Sequence, residues 1–262
     1  MNEFRDESWN GTHLVRIYFP PSYNSNDDGN SKKKWPAILD VHGGRWSQKD
    51  RTLDVCCNEA LSSSGFIVAA IDFRQGPTYK HPAASNDVKA AMIWLKDNSD
   101  RLRINKECIG MLGSSSGGHL AMYAGLTSKT TEHPPKFIIA LWPVSCPFQR
   151  YRYAKRANIT CLIEGTEAYF DSEKAMRQAS ISRLVAAGEA ESLPPLLLVH
   201  PGDDANVPVE INMDLIKVWQ NFDGYIEYSY FPKEPHAFGL TDSPATRRLN
   251  TLIIDFAKRF CN

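Results

Sequence analysis

Apolar residues in this chain fall into two kinds of pattern, short dense runs and longer stretches where they recur every third or fourth position. The dense runs occupy 14–19, 37–41, 66–71, 109–112, 137–142 and 196–199, with a final alternating run at 225–231. Their length and β-branched content predict strands. Between them, Leu53, Cys57 and Leu61; Val88, Met92 and Leu95; Val209, Met213, Ile216 and Trp219; and Leu249, Ile253, Phe256 and Phe260 keep helical spacing. Strand and helix alternate, which predicts a mostly parallel sheet covered on both faces. Active sites in such sheets form beyond the carboxyl ends of the strands.

Two segments interrupt the alternation. The polar stretch 24–34 reads as a loop between two early strands, and 147–195 reads as an insertion with a helix near 172–187. Rich in aromatics and charges, that insertion is expected to be a lid or substrate-binding element on a fixed scaffold. The 262 residues are otherwise expected to form one catalytic domain, 1–262.

Composition narrows the partners. Thirty Lys and Arg balance thirty Asp and Glu, so no net field steers the molecule to nucleic acid or an anionic membrane. The basic cluster Arg150, Arg152, Lys155 and Arg156, interleaved with Tyr151 and Tyr153, is read as a solvated loop or lid face rather than an RNA footprint. The first residues carry no apolar leader and no apolar run could span a bilayer, so the expected location is cytoplasmic. Six cysteines without C-x-x-C spacing imply neither a zinc site nor a disulfide framework, and reduced thiols are expected. The sequons at Asn10 and Asn158 are read as chance triplets.

Gly113-Ser114-Ser115-Ser116-Gly117-Gly118 lies between a predicted strand and the helical stretch 119–126. A Gly-x-Ser-x-Gly turn in that context forces the central serine into a strained conformation and presents its hydroxyl above the sheet. Only Ser115 has glycine at both minus two and plus two, which makes it the candidate nucleophile. A phosphate-binding loop would need a following lysine, and none is present. His42-Gly43-Gly44-Arg45-Trp46 follows another strand. Its N–H groups, at Gly43, Gly44 and Arg45, are candidates to form an oxyanion hole with the N–H of Ser116; His42 is expected to hydrogen-bond its own loop.

A serine nucleophile needs a base and an orienting acid, in the chain order Ser, Asp, His. The loop after 196–199 offers Asp203 and Asp204, with Asp204 preferred, and the loop after the last strand offers His236. His13, His119, His133 and His200 fall at positions suited to structural roles.

Together these motifs resemble the α/β-hydrolases related to hormone-sensitive lipase, including the small feruloyl-esterase-like and kynurenine-formamidase-like enzymes. The likeness extends over 35–260 through His42-Gly43-Gly44-Arg45-Trp46, Asp72-Phe73-Arg74, Asp87-Val88 before Trp94-Leu95, the serine motif, Asp204 and His236. The resemblance implies an α/β-hydrolase fold, and its acid, four residues before Pro208 of Val207-Pro208, is Asp204. Arg45 departs from it, since lipase-like members carry a third glycine there. The implied reaction is hydrolysis of an ester, thioester or activated amide through an acyl-enzyme, on a small-molecule acyl substrate, free or carrier-bound, with no cofactor and no metal. The chain also resembles natural-product pathway hydrolases, in which the same residues support acyl transfer or macrolactone formation. A catalytically dead ligand receptor is the third reading, because this fold hosts receptors.

Overall fold

The computed structural model describes residues 3–23, 33–127 and 134–261. Eight strands form one sheet: β1 (Phe4–Ser8), β2 (Leu14–Tyr18), β3 (Trp35–Val41), β4 (Ile67–Ile71), β5 (Ile104–Ser114), β6 (Ile138–Leu141), β7 (Leu196–Asp203) and β8 (Ile226–Pro235). Their spatial order is β1-β2-β4-β3-β5-β6-β7-β8. The pairs β1/β2 and β2/β4 are antiparallel and all others are parallel.

The parallel strands are continuously apolar because both faces are covered. In β3, Leu39 and Val41 join one core cluster while Ile38 joins the other. The first face carries α2 (Ala83–Asp97), α3 (Ser116–Leu126) and α8 (Val209–Asn221); the second carries α1 (Val55–Ser63) and α9 (Pro244–Cys261). All seven predicted strands and all the predicted interstrand helices form.

Three differences have physical reasons. β1 has no apolar alternation and forms at the sheet edge, held by register with β2 and by Asp6, which accepts from Arg16 at 2.8 Å and from Arg51 at 2.8 Å. The single helix expected near 172–187 is two, α6 (Glu173–Gln178) and α7 (Ile181–Ala186), preceded by α4 (Pro147–Arg156) and α5 (Thr160–Tyr169). The break falls at Ser180, which is extended at ψ 128° as Ile181 N–H reaches back to Ser145 O at 2.9 Å. The third concerns cysteine: Cys108 on β5 and Cys261 at the end of α9 are joined as a disulfide with Cα atoms 5.4 Å apart, which corrects the expectation of six reduced thiols. Cys56, Cys57, Cys146 and Cys161 are free thiols.

The stretch 24–32 of the polar loop and His133 lie outside the described residues. No helix among the described residues is long and apolar enough to cross a membrane.

Candidate active site

Strand β5 delivers Ser115 directly into α3. Its φ of 53° and ψ of −116° are strained for a residue with a side chain. The conformation is held because Ser115 N–H donates to Leu141 O at 2.8 Å and Ser115 O accepts from Val144 N–H at 3.1 Å. Glycine is compulsory on both sides: a Cβ on Gly113 would come within 2.4 Å of Gly117 O, and one on Gly117 within 1.9 Å of Val41 O.

The structure brings the three widely separated candidates together. His236 Nε2 lies 2.9 Å from Ser115 Oγ, and His236 Nδ1 lies 2.8 Å from Asp204 Oδ2. Because Nδ1 faces a carboxylate, it carries the ring proton, leaving Nε2 to accept from the serine hydroxyl. The other oxygen of Asp204 accepts the N–H groups of Asn206 and Val207, both at 2.8 Å, so a side chain only 1% exposed is fully satisfied. Asp203 ends β7 opposite Pro235, with its side chain exposed, and takes no part in this chain of bonds.

Ser115, His236, Gly43, Gly44 and Arg45 line one cavity of about 180 Å³ together with Trp142, Asn206 and Leu240. The N–H groups of Gly44 and Arg45 are used by no hydrogen bond among the described residues. Gly43 differs from its two neighbours: its N–H donates to Ser114 Oγ at 3.0 Å. Ser116 opens α3, where its N–H has no helical acceptor, while its hydroxyl accepts from Trp46 N–H at 3.2 Å.

The remaining described histidines of the sequence reading are held in the scaffold. His42 is 1% exposed, bonds Gly43 O at 2.6 Å and stacks on Phe73, and burial lowers its pKa. His119 accepts from Trp46 Nε1–H at 3.3 Å and donates through Nε2 to Ala179 O at 2.9 Å; burial pushes its pKa down to about 3. His200 meets Asn212, and His13 meets Asn10.

Sequence reasoning missed a buried acidic pair beneath the serine. Ser114 Oγ donates to Asp54 Oδ2 at 2.8 Å, and Asp40 Oδ2 accepts from Asn58 Nδ2 at 2.7 Å. Burial raises both carboxyl pKa values, that of Asp54 to about 7, and the charge of Asp54 further raises that of Asp40. The available signal was Asp40 itself, an acid inside the otherwise apolar strand β3.

Arg150 corrects a second expectation. It is 2% exposed rather than solvated, donates to Thr166 Oγ1 at 2.8 Å and sits over the Trp46 ring at 5.2 Å. Burial, with the charge of Arg45, lowers its pKa to about 10. Arg152, Lys155 and Arg156 are exposed. The insertion is anchored in the core, since Phe148, Tyr151, Tyr169 and Phe170 belong to the main core cluster, and no residue of 147–195 lines the Ser115 cavity.

A central parallel sheet with a serine at the strand-to-helix elbow and a carboxylate and histidine on later strand ends defines the α/β-hydrolase fold. Within that class the chain belongs to the BD-FAE family, whose profile matches residues 26–218. It is 26% identical over 231 residues to esterase LipC of Mycobacterium tuberculosis, covering 82% of this chain and 56% of that protein. An arylesterase of Saccharolobus solfataricus is 28% identical over 193 residues, 71% of this chain and 60% of that one. The chain thus spans little more than half the length of these curated relatives. In fold it superposes on the hyperthermophilic esterase of Pyrobaculum calidifontis with a TM-score of 0.82 at 20% identity, covering 99% of this chain and 86% of that one.

Proposed function

We propose that the protein is a serine esterase acting through an acyl-enzyme, with Ser115 as nucleophile, His236 as general base and Asp204 as the orienting acid. The observation that carries this reading is the continuous bonding from Ser115 Oγ through His236 to Asp204 Oδ2, at 2.9 and 2.8 Å. As Oγ attacks the ester carbonyl carbon, its proton passes to His236 Nε2, and the carbonyl oxygen takes up the negative charge. The N–H groups of Gly44, Arg45 and Ser116 receive that oxyanion. Collapse of the intermediate breaks the bond to the alcohol oxygen, which leaves with the proton from Nε2. Water then repeats the sequence on the acyl-enzyme, releasing the acid and restoring the serine.

A cavity of about 180 Å³ suits a short acyl group, with the alcohol portion toward the opening. No insertion residue covers that cavity, which favours capture of the acyl-enzyme by water over transfer to a second hydroxyl. A carrier-bound thioester would meet the same serine.

The test is incubation with a fluorophosphonate probe, followed by peptide mapping and by turnover of p-nitrophenyl butyrate with added alcohols. Labelling at Ser115 with free butyrate as the dominant product is expected. An unlabelled protein without turnover would remove the esterase reading, and butyrate esters as the dominant product would make it an acyltransferase.

A further inference from the structure

Arg45 stands where a third glycine would make the loop simplest, and its φ is 58°. A residue with a side chain is disfavoured in this left-handed region, so something outside the loop must hold it there. On one side its guanidinium Nη2 donates to Gln48 Oε1 at 2.6 Å. On the other lies α5 of the insertion, where Gly165 faces the arginine: a Cβ on Gly165 would stand 2.8 Å from Arg45 Cβ, 3.2 Å from Cδ and 3.5 Å from Cγ.

Helix α5 has no room to withdraw. Tyr169 is fully buried and stacks on Trp46 with ring centroids 5.8 Å apart, and Thr166 donates to Leu162 O while accepting from buried Arg150. Trp46 in turn is fixed through Ser116 and His119. The gap left by the missing side chain at 165 is therefore what allows Arg45 to sit in this loop.

We propose that Gly165 is a positioning residue for the Arg45 backbone, so that α5 sets the aim of the Arg45 N–H toward the reacting carbonyl. The proposal rests on the reading of Arg45 as an oxyanion donor. Arg45 Cβ is one bond from the backbone, so a methyl group at 165 displaces the N–H as well as the side chain.

The experiment compares kcat and KM for p-nitrophenyl butyrate in the wild type, Gly165→Ala, Arg45→Gly and the double variant, with fluorophosphonate labelling of each. Gly165→Ala is expected to lower kcat about tenfold with little change in KM, because a donor displaced by a fraction of an ångström loses part of its transition-state stabilisation. Its melting temperature should change little, since the preference of alanine over glycine for the helix offsets the strain of the closer contact. Arg45→Gly sets its own baseline, and adding Gly165→Ala to it should cost nothing further. Wild-type kcat in Gly165→Ala, or an equal loss in the Arg45→Gly background, would overturn the coupling while labelled Ser115 left the esterase reading standing. Absence of labelling in the wild type would instead remove the reading beneath it.

Discussion

Ser114 donates a hydroxyl hydrogen bond to Asp54, 2.8 Å away and wholly buried, while accepting one from the N–H of Gly43. The residue before Ser115 thus ties the glycine loop to the start of α1. The bond is made to a carboxyl group that burial raises to a pKa of about 7.

That shift has a signed consequence for stability. An acid whose pKa is higher folded than unfolded binds protons more tightly in the native state, so its contribution is complete below the unfolded value near 4 and is lost as pH rises toward 7. Asp54→Asn keeps an acceptor for Ser114 and removes the charge, including its push on Asp40. The melting temperature of the variant relative to wild type should therefore rise between pH 5 and pH 8. Parallel melting curves across that range would contradict the burial of a titrating pair.

Ser115→Ala should abolish turnover with the melting temperature nearly unchanged, because it removes a hydroxyl and little packing. Asp204→Asn is expected to lower kcat by about 10³ to 10⁴, the scale of a lost orienting carboxylate. Asp203→Asn should stay near wild type, since that side chain points to solvent at the end of β7. Steady-state kinetics on one ester decides it, and equal losses at the two positions would leave Asp204 without its role.

Alkylation of the denatured, unreduced protein should modify four cysteines, rising to six after reduction. With the paired cysteines 153 positions apart in sequence, chain-entropy reasoning puts the stabilisation at up to about 5 kcal/mol. Cys108→Ser should lower the denaturation midpoint accordingly. Six reactive thiols without reductant would return the chain to the state its sequence suggested.

A mobile lid would separate specificity from chemistry, but Tyr169 is buried against Trp46. Tyr169→Ala should cost about 3–5 kcal/mol, as large aromatic truncations in cores do. It should also reduce hydrolysis of p-nitrophenyl acetate and of a long-chain ester in parallel. A loss confined to the long ester, with stability kept, would instead support a lid.

Much of this was legible in the sequence because parallel strands buried on both faces must be apolar throughout, which exposes them as runs such as 66–71. Ser115, Asp204 and His236 were legible for a different reason, since each sits at a strand end in a loop whose glycine or proline content fixes its shape. What escaped depended on partners remote in sequence. Nothing in Phe4–Ser8 reads as a strand until β2 supplies the neighbour. Asp54 looks like any helix-start acid until Ser114, sixty positions on, reaches it. Arg150 reads as surface charge because its cover, Trp46 and Thr166, comes from separate elements.

The bond between Cys108 and Cys261 closes the backbone into a ring, and Ser115, Asp204 and His236 all lie on it. A single peptide cleavage anywhere on that ring would yield two termini but still one covalent molecule. Fragments bearing the serine and the histidine could not diffuse apart, and a molecule nicked in its insertion would stay whole until a reductant reached the sulfurs.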